Sequence, residues 1–337
     1  MRIITFFAFL VIILFPVYAQ DTDNFEDDFN SSNVNPTKSK TYGFSIGIQF
    51  GFIYGQAFEY VYPLDNDTKG SLLSELIWDM KPVLYYGIKA DFGKVNPYVS
   101  PGFFSSLSFK AGIPAKTGVM EDRDWMSTEN NSLTHFSSHD NITKEMFTAD
   151  LLLGASFPVK SLFFIKPFFS GSWMRFSFSG KDGSGTYARN KGSAYYPIDD
   201  NPKHITYSGE VIRYEQNWLL LATGFSIGTD ILFPLTFELF LKISPLTYCS
   251  ATDEHLTTRM IYKDFTSFGF YYEPEVNVSI FLKQIELSFN FAYRYIGKTK
   301  GETYIKKNTD TQYYLSPNKA GAGLSIIDTR LLAIWHF

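Results

Sequence analysis

The stretch IELSFNFAYRY (residues 285–295) alternates without interruption between two kinds of side chain. Its odd positions are all apolar or aromatic, and its even positions carry Glu286, Ser288, Asn290, Ala292 and Arg294. Successive side chains of a β-strand point to opposite faces, so this stretch predicts a strand with one apolar and one polar face. Segments 268–282 and 235–244 show the same alternation. The chain is therefore predicted to be all-β.

Strand length and composition favour a membrane barrel over a soluble sandwich. The alternating runs extend well beyond the usual strand of about 5–6 residues. Aromatic residues make up 18% of the 337 residues and charged residues only 19%, against about 25% charge in soluble domains. Paired strands cross lipid only as a closed cylinder, because every backbone group must be satisfied internally. The final Phe337, on an alternating strand, resembles the signal for outer-membrane assembly.

Ten strands are predicted, separated alternately by tight turns and by long polar links. Such alternation is typical of periplasmic turns and extracellular loops. The predicted fold is a ten-stranded antiparallel transmembrane β-barrel of the bacterial outer membrane, elongated beyond the membrane on the extracellular side. The strands are placed at 42–62, 70–91, 96–113, 145–159, 162–179, 207–230, 233–250, 265–283, 285–298 and 322–337, with outer loops at 63–69, 114–144, 180–206, 251–264 and 299–321.

The N-terminal part is expected to lie outside the barrel. Residues 1–19 combine a positive start, an apolar core and a small-residue cleavage site, which predicts a signal peptide. Residues 20–41 are acidic and poor in apolar side chains, which predicts a flexible leader before the barrel at 42–337. The net charge of −4 gives no nucleic-acid footprint. The single Cys249 excludes an intrachain disulfide.

Two acidic clusters fall in the predicted second and fourth outer loops: Asp122 with Asp124, and Asp253 with His255. Those loops face each other across a ten-strand ring, and residues two apart share one face of a strand. His255 is expected to act as a general base toward a bound water, with Asp253 fixing its tautomer. Asp122 and Asp124 would hold the water from the opposite wall, one of them sharing a proton because two such close charges repel.

These clusters, in this order and on this barrel, resemble the omptin family of outer-membrane aspartic-type proteases over about residues 42–337. The likeness includes the run FEYVY at 58–62 and the segment 172–178. It implies an endopeptidase at the cell surface, without a cofactor or metal, that cleaves peptides or proteins near basic residues. It also implies that Asp122, Asp124, Asp253 and His255 are catalytic, that Ser137 and His139 support them, and that Glu59 lies at the base of a pocket for a basic side chain.

Several positions depart from the omptin pattern. Ala251 and His135 stand where the family carries acids, which weakens the expected pocket for a basic side chain. Arg175 matches a residue that contacts outer-membrane lipid, but Trp173 and Asn217 replace its usual partners. The sequence implies no oligomer.

Competing interpretations remain open. The His and Asp residues could bind a metal, or Ser137 with His139 could form a serine nucleophile, although neither spacing is typical. The barrel could also be a non-catalytic adhesin or narrow pore. Within the lumen, Glu273, Glu275, Glu286 and Arg294 are expected to form a charge network. Trp78, Tyr85, Tyr86 and Trp335 are expected to form the aromatic girdle at the membrane interface.

Overall fold

The computed structural model describes residues 42–63, 72–94, 97–126, 132–159, 162–192, 194–232 and 234–337. The predicted signal peptide at 1–19 and leader at 20–41 lie outside these residues, as does nearly all of the predicted loop 63–69. No helix in the described part of the chain is long and apolar enough to span a membrane.

All the regular structure described is β. The strands are β1 (Tyr42–Tyr62), β2 (Ser74–Lys94), β3 (Gly102–Gly112), β4 (Ala115–Asp124), β5 (His135–Val159), β6 (Phe163–Tyr187), β7 (Asn190–Lys191), β8 (Ala194–Tyr195), β9 (Lys203–Thr206), β10 (Glu210–Leu232), β11 (Leu235–His255), β12 (Met260–Ser267), β13 (Tyr271–Leu282), β14 (Ile285–Ile296), β15 (Lys300–Lys307) and β16 (Tyr314–His336).

The strands close into an antiparallel ring. In three cases two successive strands of the chain lie one after the other at the same position of the ring, between the same flanking strands. These are β3 with β4, β12 with β13, and β14 with β15. Counting each pair as one, the ring has ten strands, and β1 pairs with β16 from Ser45↔His336 to Tyr62↔Lys319 to complete it. A closed ring leaves no unpaired edge, which is what a lipid environment requires of strands. The predicted ten-stranded barrel is therefore confirmed.

A belt of exposed apolar side chains surrounds one part of the barrel. Ile48, Phe169 and Leu239 belong to it and are 69%, 75% and 58% exposed. Such exposure would be unfavourable in water but is suited to contact with hydrocarbon. The belt ends well before the outer ends of the strands, so the barrel extends beyond the membrane on that side.

The extension corrects the predicted loops. Residues 115–124 and 135–144, assigned to a loop, belong to β4 and β5, and β11 continues to His255. Likewise β6 reaches Tyr187, and β15 and β16 occupy most of 299–321. Above the membrane the outward face is polar, so hydropathy stops alternating although backbone pairing continues. The acidic clusters therefore lie on strands.

Inside the belt the lumen holds paired charges. Glu273, which is 1% exposed, accepts from Lys242 at 2.6 Å and from Arg294. Glu275 accepts from Arg330 at 2.6 Å. The expected charge network is present for Glu273, Glu275 and Arg294, whereas Glu286 lies apart from it and contacts His336 at 2.9 Å.

Above these charges an aromatic layer fills the barrel. Trp78 stacks on Phe178 and Tyr214, with ring centroids 5.5 and 5.4 Å apart. Gln216 donates from β10 to the backbone oxygen of Phe58 on β1 at 2.8 Å and so bridges the lumen. This layer forms a floor beneath the outer end of the barrel.

Two members of the predicted aromatic girdle are wrongly assigned. Trp78 and Tyr85 are fully buried in the lumen, whereas Tyr86 and Trp335 are 59% and 50% exposed. A register shift opposite Ile53 and Gly55 reverses which positions of β2 face inward. A β-bulge adds an unpaired residue and so changes the parity of a strand, which alternation alone does not reveal.

Candidate active site

The Asp couple, Asp122 and Asp124, lies at the outer end of β4. The two side chains share one face because they are two residues apart on one strand. That face points into the barrel, where Asp122 lines a cavity. Ser74, the cross-strand neighbour of Asp124 on β2, donates a hydrogen bond to Oδ1 of Asp122 at 3.3 Å. Between them Arg123 faces outward and pairs with Glu121 at 2.5 Å. The strand thus separates a surface ion pair from two inward carboxyl groups.

The Asp/His pair, Asp253 and His255, ends β11 on the opposite wall. Oδ2 of Asp253 lies 2.5 Å from Nε2 of His255. Asp253 is only 2% exposed, whereas the side chain of His255 is 29% exposed. The imidazole packs edge-on against Tyr262 of β12, with ring centroids 5.4 Å apart. A buried carboxylate therefore orients an imidazole that remains open to the cleft.

One cavity of about 50 Å³ joins the two walls. Its lining includes Asp122 from one side and His255 from the other. A buried water needs roughly 10–15 Å³ of such space and two to four polar partners. The remaining lining residues are Met120, Ser137, His139, Tyr187, Tyr207, Val211, Ile212 and Thr257. The cavity is therefore large enough and polar enough for water.

The electrostatics of the two walls are linked. Burial lowers the pKa of His255, but the carboxylate of Asp253, helped by the Asp couple, reverses this and raises it to about 9. Burial and the charge of Asp124 raise the pKa of Asp122 to about 8, against the opposing effect of His255. Burial also raises the pKa of Asp124. At neutral pH the site therefore retains protons that separate groups in water would lose.

Ser137 and His139 lie on β5 beside the Asp couple, and Ser137 is the cross-strand neighbour of Asp122. Nε2 of His139 is 3.0 Å from Oγ of Ser137, and Nδ1 is 2.5 Å from the backbone oxygen of Asp182. A carbonyl oxygen only accepts, so Nδ1 carries the proton and Nε2 accepts from the Ser137 hydroxyl. Burial lowers the pKa of His139, which keeps it neutral.

Glu59 lies on β1, next to the Gln216 bridge, and is 3% exposed. Burial raises its pKa well above the usual range, and the charges of Asp253, Asp264 and Asp122 add to the effect. Glu59 is thus close to Asp253 on β11, to Asp264 on β12 and to Asp122 on β4.

The family model of the Omptin family matches residues 40–331. The chain belongs to the omptin family. The plasminogen activator of Yersinia pestis is 24% identical over 284 residues, which are 82% of this chain and 84% of the relative. The outer membrane protease OmpT from Escherichia coli has a TM-score of 0.74 at 19% identity, covering 89% of this chain and 99% of that chain. Family and relatives together support an outer-membrane protease whose active face lies at the cell surface.

Two departures from the omptin pattern have clear structural settings. His135, the cross-strand neighbour of Asp124, packs on Tyr187 and Tyr195 with ring centroids 5.3 and 4.7 Å away. Burial lowers its pKa despite the charge of Asp124, so it adds a neutral ring where an acid was expected. Ala251 is buried and leaves the acid position on β11 without a carboxyl group.

The predicted lipid-contact residue of this omptin lies on the outer face of β6. Arg175 pairs with Glu145 at 3.0 Å and with Glu215 at 2.8 Å. Asn217 donates to the same Glu215 at 2.6 Å, and Trp173 is 43% exposed. The charge of Arg175 is therefore already balanced by two acidic side chains. Lipid contact by Arg175 stays a prediction.

Sequence reasoning missed Ser74 and Asp264. Ser74 has no motif around it and is brought to the Asp couple by β2–β4 pairing. Asp264 was assigned to a loop, but the turn between His255 and Met260 sets a register that places it opposite Ala251. Locating that turn in the sequence would have revealed the pairing. No group of three or more His, Cys, Asp or Glu side chains suited to a metal occurs among the described residues.

Proposed function

We propose that this omptin is an endopeptidase that activates a water molecule between the Asp/His pair and the Asp couple, and that it favours basic residues near the scissile bond. One observation carries the proposal: a cavity with room for water is lined by Asp122 on one wall and His255 on the other. General-base hydrolysis needs this arrangement, because the base must reach the water through a hydrogen bond or one intervening water.

The chemistry follows from the contacts of His255. Its Nε2 is engaged by Asp253, so Nδ1 is the nitrogen left to take a proton from water. The water oxygen then bonds to the carbonyl carbon of the substrate, and Asp253 stabilises the imidazolium. The imidazolium returns the proton to the leaving nitrogen as the carbon–nitrogen bond breaks. Asp122, held by Ser74, positions the water from the far wall.

Preference for a basic side chain is supported by the charge distribution. Glu59 is deeply buried, and its neighbours in the cleft are acids. A Lys or Arg side chain entering the cleft would offset this concentration of carboxyl groups, whereas an acidic side chain would add to it.

The test uses purified, refolded protein and peptides that contain Lys or Arg. Asp122→Ala and His255→Ala should each lower kcat/KM by about 100-fold or more, the usual range for a general base and its partners. Glu121→Ala and Glu254→Ala are matched controls, because these acids pair with Arg123 and Arg213 outside the cleft. The controls should retain activity. Undiminished cleavage by the first two variants would refute the mechanism.

The same assay separates the serine alternative. Ser137→Ala should reduce activity only partially if Ser137 supports the water, and should abolish it if Ser137 is the nucleophile. A covalent acyl-enzyme trapped on Ser137 would contradict direct attack by water.

A further inference from the structure

Three buried carboxyl groups cluster at the Asp/His pair: Asp253 itself, with Glu59 and Asp264 near enough for their charges to affect one another. Glu59, Asp253 and Asp264 come from β1, β11 and β12 and are 3%, 2% and 4% exposed. Oε2 of Glu59 and Oδ1 of both aspartates have no hydrogen-bond partner among the described residues. Buried acceptors without donors are costly, so their arrangement points to a donor that arrives from outside the chain.

The register between β11 and β12 explains how Asp264 comes to lie in this cluster of carboxyl groups. Asp264 is the direct cross-strand neighbour of Ala251, and Tyr262 is that of Asp253. Directly opposed residues of antiparallel strands share a face, with Cβ atoms about 4.5–5.5 Å apart. The small Ala251 therefore leaves room on β11 that the carboxyl group of Asp264 can occupy from the neighbouring strand.

We propose that Asp264 and Glu59 form the subsite that binds the cationic side chain of the substrate, and that Asp264 supplies from β12 the acid that Ala251 lacks on β11. This inference rests on the proposed function, and it assigns the preference of the protease for basic side chains to Asp264. The ligand class is an ammonium or guanidinium group, which brings several N–H donors to unpaired carboxyl oxygens.

Protonation gives the subsite a distinct signature. Burial, opposed by a hydrogen bond from Thr303 and increased by the charge of Asp253, raises the pKa of Asp264 to about 7. Below about pH 7 Asp264 in the unoccupied subsite is a neutral carboxyl group, and above it Asp264 is a carboxylate that attracts a cation. KM for a basic substrate should therefore fall as pH rises through about 7, whereas KM for a neutral substrate should not.

The experiment compares an arginine peptide with its citrulline counterpart, which has a similar shape but no charge. Asp264→Ala should lower the preference for arginine by about tenfold or more, the scale of a hydrogen bond to a charged group. The effect should fall on KM, and the pH dependence of KM near 7 should disappear. In the double variant Ala251→Asp/Asp264→Ala, an acid on β11 should restore most of the preference.

Glu302→Ala is the matched control, because this acid on β15 is exposed and should leave the preference unchanged. An Asp264→Ala variant that lost activity equally on both peptides, or a double variant that did not regain the preference, would overturn the assignment.

Equilibrium binding of the two peptides to His255→Ala separates this inference from the proposed function. That variant should bind arginine more tightly than citrulline even without turnover, and adding Asp264→Ala should abolish the difference. If the wild-type protein cleaves neither peptide, the proposed function fails. The difference in binding between the arginine and citrulline peptides still tests whether Asp264 forms the subsite. Equal binding of both peptides would reject it.

Discussion

At the scale of single residues, the catalytic proposal depends on where the protons lie. His255 faces Asp253 on its own strand and the Asp couple across the cavity. Groups that interact this strongly titrate together, so a measured pKa belongs to the set of residues. Protons retained on both walls, on His255 and on Asp122, describe the resting site at neutral pH better than a neutral histidine opposite two ionised acids.

Activity should therefore depend on pH in a defined direction. The general base must be neutral, and the pKa of His255 is raised to about 9. Because the neutral form exists above the pKa, kcat should rise as pH increases from about 7 to 9 and fall toward mild acid. A pH profile of kcat with a saturating substrate measures this. Maximal activity near pH 4 would contradict a histidine base.

Asp124→Asn refines the same prediction. It removes one carboxylate that raises the pKa of His255, so any residual activity should keep its acid limb at a lower pH than in the wild type. An acid limb that did not move would show that the observed titration belongs to another group.

At the scale of elements, a β-bulge in β6, opposite Ser138 and Asp140, positions the residues that support the candidate active site. Asp182 and Gly183 have φ values of 52° and 96°, and the backbone oxygen of Asp182 accepts from His139. A Cβ on Gly183 would lie 2.0 Å from the backbone oxygen of Ser138. The bulge therefore depends on glycine, both for its positive φ and for its close approach to β5.

Gly183→Ala should consequently displace Asp182 from His139 and lower kcat by about tenfold, since such backbone strain costs roughly 1–3 kcal/mol. Gly192→Ala is the control: its φ is 65°, but a Cβ there meets nothing within 4 Å. Peptide cleavage measures the effect, and circular dichroism should show both variants as intact barrels. Equal activities of the two variants would remove His139 from the supporting role.

The elements also show how far the sequence could be interpreted. Period-two hydropathy predicts the strands within the membrane, because lipid on one side and a polar lumen on the other select opposite side chains. Above the membrane the outer faces of β4 and β11 meet water instead of lipid, so the same signal ends while the strands continue. The spacing of Asp122, Asp124, Asp253 and His255 singles them out as candidates. Spacing does not single out Asp264, since its role depends on a cross-strand register.

At the scale of the whole molecule, the lumen within the membrane is held by charge pairs that have little access to water. Removing one partner of a buried pair is far more costly than removing the pair, because the remaining charge is uncompensated. Glu273 lies between Lys242 and Arg294 and is therefore the sensitive member of its group.

Glu273→Leu should accordingly lower the free energy of unfolding by about 3–5 kcal/mol. Urea titration of the protein refolded in lipid vesicles measures this, with Glu302→Leu as a control at an exposed acid. A loss of under about 1 kcal/mol would mean that the lumen reorganises around the two cations. The filled lumen above this group, with its Gln216 bridge, also argues against the pore alternative.

The outer extension of the barrel determines what the cleft can reach. On β11 the last large apolar side chain exposed on the outer face is Tyr248, and Asp253 follows five residues later. At about 3.3 Å per residue and a tilt near 40°, Asp253 and the proposed catalytic groups beside it stand roughly 13 Å above the lipid surface. A polypeptide lying flat on that surface passes below them. A substrate protein anchored in the same membrane therefore needs an extended segment of at least about four residues between the lipid surface and its scissile bond. Cleavage would leave that short segment attached to the membrane anchor.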